Sequence, residues 1–182
     1  GSGDPFFSRT FRKWMMNFDP SMYPNLKSMH LHTNATLWNH SNWSRMTRVH
    51  KFIKSAEISI DAAYKDTYEN YTRLGGKWDD LMENLKYISE IKTLERVTLS
   101  FVVQIDNYKE MVDFHKMAEK FFDHTHINWE VFYNRVVNWG TYNAEDFKKV
   151  DVGNPEHPEY NYLLEEYKKL PPANNIRHNL TL

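Results

Sequence analysis

The chain has 182 residues, 41% of them hydrophobic, carries a net charge of −1 and contains no cysteine. That length supports one good core rather than two full domains, and the interleaving of Lys and Arg with Asp and Glu leaves no electrostatic footprint for nucleic acid or an anionic membrane. The missing thiols exclude disulfides, thiolate catalysis and thiolate-held metals from what this polypeptide does alone. No apolar run approaches the ~20 residues of a membrane span and no signal-peptide pattern opens the sequence, so a soluble, cytoplasmic protein is expected.

In chain order, Phe7, Phe11, Trp14, Met15 and Phe18 fall at helical spacing and predict a helix that stops before Asp19-Pro20. Residues 28–35 then alternate like a strand. Trp43, Met46, Thr47, His50 and Ile53 predict a second helix, followed by a strand at 56–62. After the Gly75-Gly76 breaker, Trp78, Leu81, Met82, Leu85 and Ile88 form the clearest helical stripe. A strand at 97–104, a helix marked by Met111, Val112, His115, Ala118 and Phe122, and a strand at 127–136 complete a repeating pattern. Such alternation predicts an α/β fold built from β-α-β units with a parallel sheet. Residues 1–140 read as this domain. Residues 141–182 read as a tail in which Pro155, Pro158, Pro171 and Pro172 surround one short helix carrying Tyr160, Leu163, Leu164 and Tyr167.

The strands raise a further question. A parallel sheet covered by helices on both sides is apolar on both faces, yet each strand here has a polar face: His30, His32 and Asn34; Glu57, Ser59 and Asp61; Thr98, Ser100 and Gln104; Asn128, Glu130 and Asn134. A curved sheet with helices outside and a polar concave interior satisfies both observations, which predicts a full or partial β/α barrel around a cavity. Chemistry in such folds sits at the C-terminal strand ends, here Asn34, Asp61, Gln104 and Asn134. His30, His32, Glu57, Ser100, Glu130 and Asn134 are the residues expected to line a substrate cavity.

Several stretches then stand in a suggestive order: GSGDPF at 1–6, HTNATL at 32–37, AEISIDA at 56–62 with Thr67-Tyr68-Glu69 after it, RLGGKWDDLMENLKYI at 73–88, SFVVQIDNYKEM at 100–111 and NRVVNWGTY at 134–142. This succession resembles the landmarks of radical S-adenosylmethionine enzymes, and among them the members with SPASM or twitch extensions. The resemblance runs from residue 1 to about residue 160. It implies an incomplete TIM-like barrel whose first strands lie outside the chain. It also implies that Gly1, Ser2, Gly3, Asp4 and Pro5 form the glycine-rich turn that meets the methionine amino group. By the same resemblance, Ser59 and Asp61 lie near ribose and substrate, Arg73 pairs with the methionine carboxylate, Gln104 ends a strand beside the cofactor, and adenine packs near Val136 and Val137. Asn34 joins this cofactor-binding set from its place at a strand end.

The family's defining CxxxCxxC loop, which carries a [4Fe-4S] cluster, has no counterpart here. The implied function is therefore a portion of a radical S-adenosylmethionine barrel that supplies cofactor and substrate walls. S-adenosylmethionine binding would be weak or vestigial, and a cluster would be present only if other sequence supplied it. No catalytic residue is assigned. A second reading is a cluster-less descendant acting as a ligand-binding or protein-interaction module. A third is a hydrolase holding a metal on His30, His32 and Asp61. Simpler roles also fit: Asp79, Asp80 and Glu83 suit a helix N-terminus, and Gly75-Gly76 suits a helix-entry turn. With its first strands elsewhere, the sheet would expose an edge at Met29–Thr33, which predicts a homo-oligomer or a larger assembly.

Overall fold

The computed structural model describes residues 3–182. Its backbone forms a five-stranded parallel sheet in sequence order, β1 (Met29–Thr33), β2 (Ile53–Ser59), β3 (Arg96–Val103), β4 (Asn128–Arg135) and β5 (Ile176–His178). β1 pairs with β2 in the register His30 to Ser55, Leu31 to Ala56 and His32 to Glu57. β5 pairs with β4 through Val131 to Ile176 and Tyr133 to His178. The sheet is open, with β1 and β5 at its edges. The principal helices are α1 (Arg9–Met16), α2 (His40–Trp43), α3 (Lys65–Thr67), α4 (Trp78–Ser89), α5 (Met111–Phe122), α6 (Ala144–Val150) and α7 (Tyr160–Lys168). None is long and apolar enough to cross a membrane.

The described residues divide into two compact units. The first comprises the segments up to Ser59, Lys77–Thr98 and Phe121–Trp129. Its core runs through Leu31, Ala56, Ile58, Leu81, Leu85, Ile88 and Val97, all buried. Phe6 stacks on Trp38 at 5.2 Å, and Trp38 leans on Trp43 at 5.3 Å. α1 starts where the Ser8 hydroxyl accepts from the Phe11 N–H, an N-cap that satisfies a helix-end donor. In α4, Asn84 is buried and donates its amide to both Ala35 O and Thr36 O at 2.9 Å, tying the helix to the turn after β1.

The second unit comprises Ile60–Gly76, Leu99–Lys120 and Glu130–Leu182. Phe101, Phe114 and Tyr133 form its aromatic centre, with ring centroids 4.7 to 6.4 Å apart. The buried Tyr133 hydroxyl finds an acceptor in Met111 O at 2.6 Å, as a buried phenol requires. Arg135 donates to both oxygens of buried Asp151, at 3.2 and 2.7 Å, in the bidentate geometry suited to a guanidinium.

The predicted strands and the helices α1, α4, α5 and α7 form as expected, with three departures. No continuous helix covers 43–53. Asn39 caps a one-turn α2 at Asn42 N, after which the chain advances by three-residue turns, Met46 N–H to Trp43 O, Val49 N–H to Met46 O and Phe52 N–H to Val49 O. Trp43, Met46 and Val49 are buried at that spacing of three, so the apolar pattern belongs to successive turns rather than to a 3.6-residue helix. β2 consequently begins at Ile53 and ends at Ser59, not 56–62. Third, the tail holds more than the one expected helix. α6 is capped by Asn143, whose side chain accepts from Asp146 N, and the three-residue β5 adds a strand beside β4.

Burial follows the predicted alternation in β1, β2 and β4. Leu31 and Thr33 are buried while His30 and His32 are exposed. Ala56 and Ile58 alternate with half-buried Glu57 and Ser59, and Trp129, Val131 and Tyr133 with half-buried Glu130 and Asn134. β3 differs: Val97, Thr98, Leu99, Ser100 and Phe101 are all buried, so this strand is covered on both faces over that stretch.

Candidate functional site

In the first unit, the chain before α1 is fastened to the end of β1 by Asp4. One carboxylate oxygen accepts from Phe6 N at 2.9 Å and Phe7 N at 3.2 Å, the other from the Thr33 hydroxyl at 2.6 Å and Asn34 N at 2.7 Å. Gly3 precedes it at φ 113, a conformation open to glycine. Thr33 Oγ1 then accepts from Ala35 N at 3.0 Å, and the Asn34 side chain from Thr36 N at 3.0 Å. Ala35, fully buried, is held at φ 59. Of the expected glycine-rich turn, Gly3, Asp4 and Pro5 are described, and the Asp4 carboxylate organises the backbone there. Gly1 and Ser2 lie outside the described residues.

The polar face of β1 and β2 belongs to the same unit. His30 Nδ1 lies 2.8 Å from Ser55 Oγ, and His32 Nε2 lies 3.2 Å from Ser59 Oγ. Glu57 stands in register with His32. The expected cavity residues His30, His32 and Glu57, together with Ser59, expected beside the cofactor, therefore share one accessible face, as a parallel register demands.

In the second unit, Asp61 is the hub. It follows β2 at φ 64, a left-handed conformation that Asp tolerates better than most residues. It is 6% exposed. One carboxylate oxygen accepts from Val102 N at 2.7 Å, and the other is ion-paired with Arg73. Its backbone carbonyl accepts from the Asn107 amide at 2.9 Å, and Asn107 also donates to Val102 O at 2.8 Å and accepts from Gln104 N at 2.9 Å. Burial pushes the Asp61 carboxyl above the ordinary range, against the opposing pull of Arg73 and the Val102 N–H. The strand-face position expected for Asp61 is not the one it takes: the β-alternation ends at Ser59, and the side chain turns into the packed layer.

Beside this hub, Glu110 is buried at the start of α5 and accepts from Ala63 N at 2.7 Å and from the Thr67 hydroxyl. Burial pushes its carboxyl upward. Arg73 keeps one further feature: its Nε is buried and has no hydrogen-bond partner. Among the described residues the Gln104 side chain is likewise unbonded. Ser100 Oγ accepts from Asn134 Nδ2 at 2.8 Å, and Glu130 pairs with Arg177 at 2.8 Å. Val136 is buried, whereas Val137 is 54% and Trp139 88% exposed.

Asp61, Arg73, Gln104, Ser100, Glu130, Asn134 and Val136 belong to this second unit, and Asp4, His30, His32, Asn34, Glu57 and Ser59 to the first. Asn84, Asn107 and Glu110, which lock the strand-end turns, escaped the sequence reading. The available signal was an Asn or Glu placed just before or inside the first turns of a helix that follows a strand.

The resemblance implies two groups, a [4Fe-4S] cluster and S-adenosylmethionine. A [4Fe-4S] cluster does not fit, since the chain has no cysteine and, among the described residues, no three His, Asp or Glu side chains gather at metal-binding distance. His30, His32 and Asp61 do not form such a group among the described residues, and the Asp61 carboxylate is engaged by Val102 and Arg73. S-adenosylmethionine fits in part: Arg73 offers a cation and Gln104 a free amide, while Val136 is buried and Asp4 and Asp61 are engaged by the protein itself. A scan against protein-family models and a search of curated proteins each found no match.

Proposed function

We propose that the chain is a portion of a radical S-adenosylmethionine-type β/α barrel, its five parallel strands forming an arc of the wall, and that it supplies binding surface for S-adenosylmethionine and substrate without being catalytic alone. The observation that carries the reading is Arg73. Asp61 engages one of its terminal nitrogens, and the buried Nε remains unmatched, so the guanidinium is pre-oriented with donors to spare for a carboxylate. Arg73, Gln104 and Val136 are the residues proposed for the cofactor, and the polar strand face of His30, His32, Glu57 and Ser59 for substrate. A [4Fe-4S] cluster, were one to accompany the chain, would be held by thiolates that this sequence lacks and would supply the reducing chemistry.

Calorimetry with S-adenosylhomocysteine tests the proposal. Weak, millimolar binding is expected, weakened about tenfold or more in Arg73→Leu through loss of charged hydrogen bonds, and unchanged in Asp79→Asn at the exposed start of α4. Absence of heat at millimolar ligand, or equal binding by Arg73→Leu, rejects the small-molecule reading and leaves the interaction module, for which the exposed Val137 and Trp139 provide apolar surface.

A further inference from the structure

The first unit carries a cleft away from the strand exits. It has a volume of about 520 Å³ and is lined by Asp19, Pro20, Thr47, Arg48, His50, Lys51 and Thr93. Its residues come from the connections that enter β1, β2 and β3, so it lies at neither of the turns held by Asp4 and Asp61.

Its chemistry is that of a donor surface. Arg48 and Lys51 are exposed, and among the described residues neither forms an ion pair or donates a hydrogen bond; Lys51 Nζ lies 5.0 Å from the Phe52 ring centre. Thr93 Oγ1 is buried and has no hydrogen-bond partner. A hydroxyl withdrawn from water in that way costs free energy until something bonds to it. Thr47 adds a second hydroxyl. Asp19 is the one carboxylate in the lining, and its Oδ1 is held by Ser21 N at 3.0 Å and Ser21 Oγ at 2.8 Å. His50 stacks on Trp43 at 4.1 Å and lies 2.7 Å from Trp43 O through Nε2, and burial pulls its pKa down, so it forms a neutral wall. Two cations against one anion leave the cleft net positive.

We propose that this cleft binds a phosphoryl oxyanion, free or as a small phosphomonoester. Arg48 and Lys51 bring charge, and Thr47 and Thr93 bring hydroxyl donors. Four donor side chains exceed what the two oxygens of a carboxylate need and suit the three or more acceptor oxygens of a phosphoryl group. The volume lies within the range of small-ligand pockets.

The test uses the full chain, with inorganic phosphate and glycerol 3-phosphate titrated against chloride at constant ionic strength, read by thermal unfolding and by amide chemical shifts. Phosphate is expected to raise Tm saturably, since a ligand of the native state stabilises it, with shifts at Thr47–Lys51 and Thr93. Arg48→Gln with Lys51→Gln, both at exposed positions, is expected to weaken binding by about tenfold or more. Thr93→Val separates ligand from packing. Removing the unbonded hydroxyl should raise Tm without phosphate, while binding falls by about fivefold. Tighter binding of glycerol 3-phosphate assigns the site to a phosphomonoester, and equal binding to free phosphate. A Tm response matched by chloride, or one that persists undiminished in the double variant, overturns the proposal.

Discussion

Asp61 shows how one side chain serves several elements at once. Its left-handed backbone lets the chain leave β2, its carboxylate takes the Val102 N–H and the Arg73 guanidinium, and its carbonyl receives Asn107. Asp61→Ala removes both carboxylate bonds and places alanine in a conformation it disfavours. A loss of about 2–4 kcal/mol is expected, below that of a wholly buried pair because the Arg73 side chain is 30% exposed. Asp61→Asn keeps an oxygen for Val102 and tolerates the left-handed turn, so it should lose clearly less. Urea unfolding of the two variants checks the order, and equal losses would mean that the carboxylate does not organise this turn. Glu110 gives a pH test. Burial raises its carboxyl above the ordinary 4.5, so the folded state holds that proton more tightly than the unfolded chain does. The associated stability is present below the unfolded value and is lost as pH rises through the raised folded one. Glu110→Gln mimics the protonated form, and its stability relative to the native protein should therefore rise with pH across this window. Urea midpoints for both proteins at pH 4, 5, 6 and 7 measure this, and a difference that stays flat contradicts the raised value.

At the scale of elements, the turn before α1 depends on Asp4 more than on glycine. Asp4→Ala strands the Phe6, Phe7 and Asn34 N–H groups and the Thr33 hydroxyl. With partial rescue by water at the exposed positions, a loss of about 2–4 kcal/mol is expected. Chemical denaturation measures the loss, and amide exchange at Asn34 should quicken; protection unchanged at Asn34 would show that another acceptor holds the strand end. Such details mark where the sequence is readable. Trp78, Leu81, Leu85 and Ile88 repeat at 3.6 and announce α4, while Leu31 against His30 and His32 announces β1. Trp43, Met46, Thr47, His50 and Ile53 mislead because their spacings of three and four fit a helix, whereas the buried set Trp43, Met46 and Val49 follows a string of tight turns after Asn39 caps α2 at Asn42. Ile176–His178 is too short for any alternation to register, and it becomes a strand through pairing with β4. The position of Asp61 was unreadable for a related reason: strand alternation continues formally through 61, and the left-handed turn that ends it is made by bonds to Val102 and Asn107, 41 and 46 residues away.

For the molecule as a whole, the parallel order of the sheet was legible because each strand is separated from the next by a segment long enough to cross over. The partners of its edges were not, because an edge strand carries no sequence mark of what covers it. At one edge β5 closes the outer side of β4 and is itself short, a common protection. β1, at the other edge, has five residues and presents exposed His30 and His32 on one face, without an edge proline or lysine inside Met29–Thr33. β1 carries no Asp, Glu, Lys or Arg that would repel a second strand. We expect the chain to associate through β1, with a second copy or as part of a larger assembly. Light scattering between about 10 and 100 µM measures the mass. Amide exchange along 29–33 reports whether the edge is covered. A monomer throughout that range, with fast exchange at those five residues, would show that β1 is a free edge in solution and would remove the assembly reading.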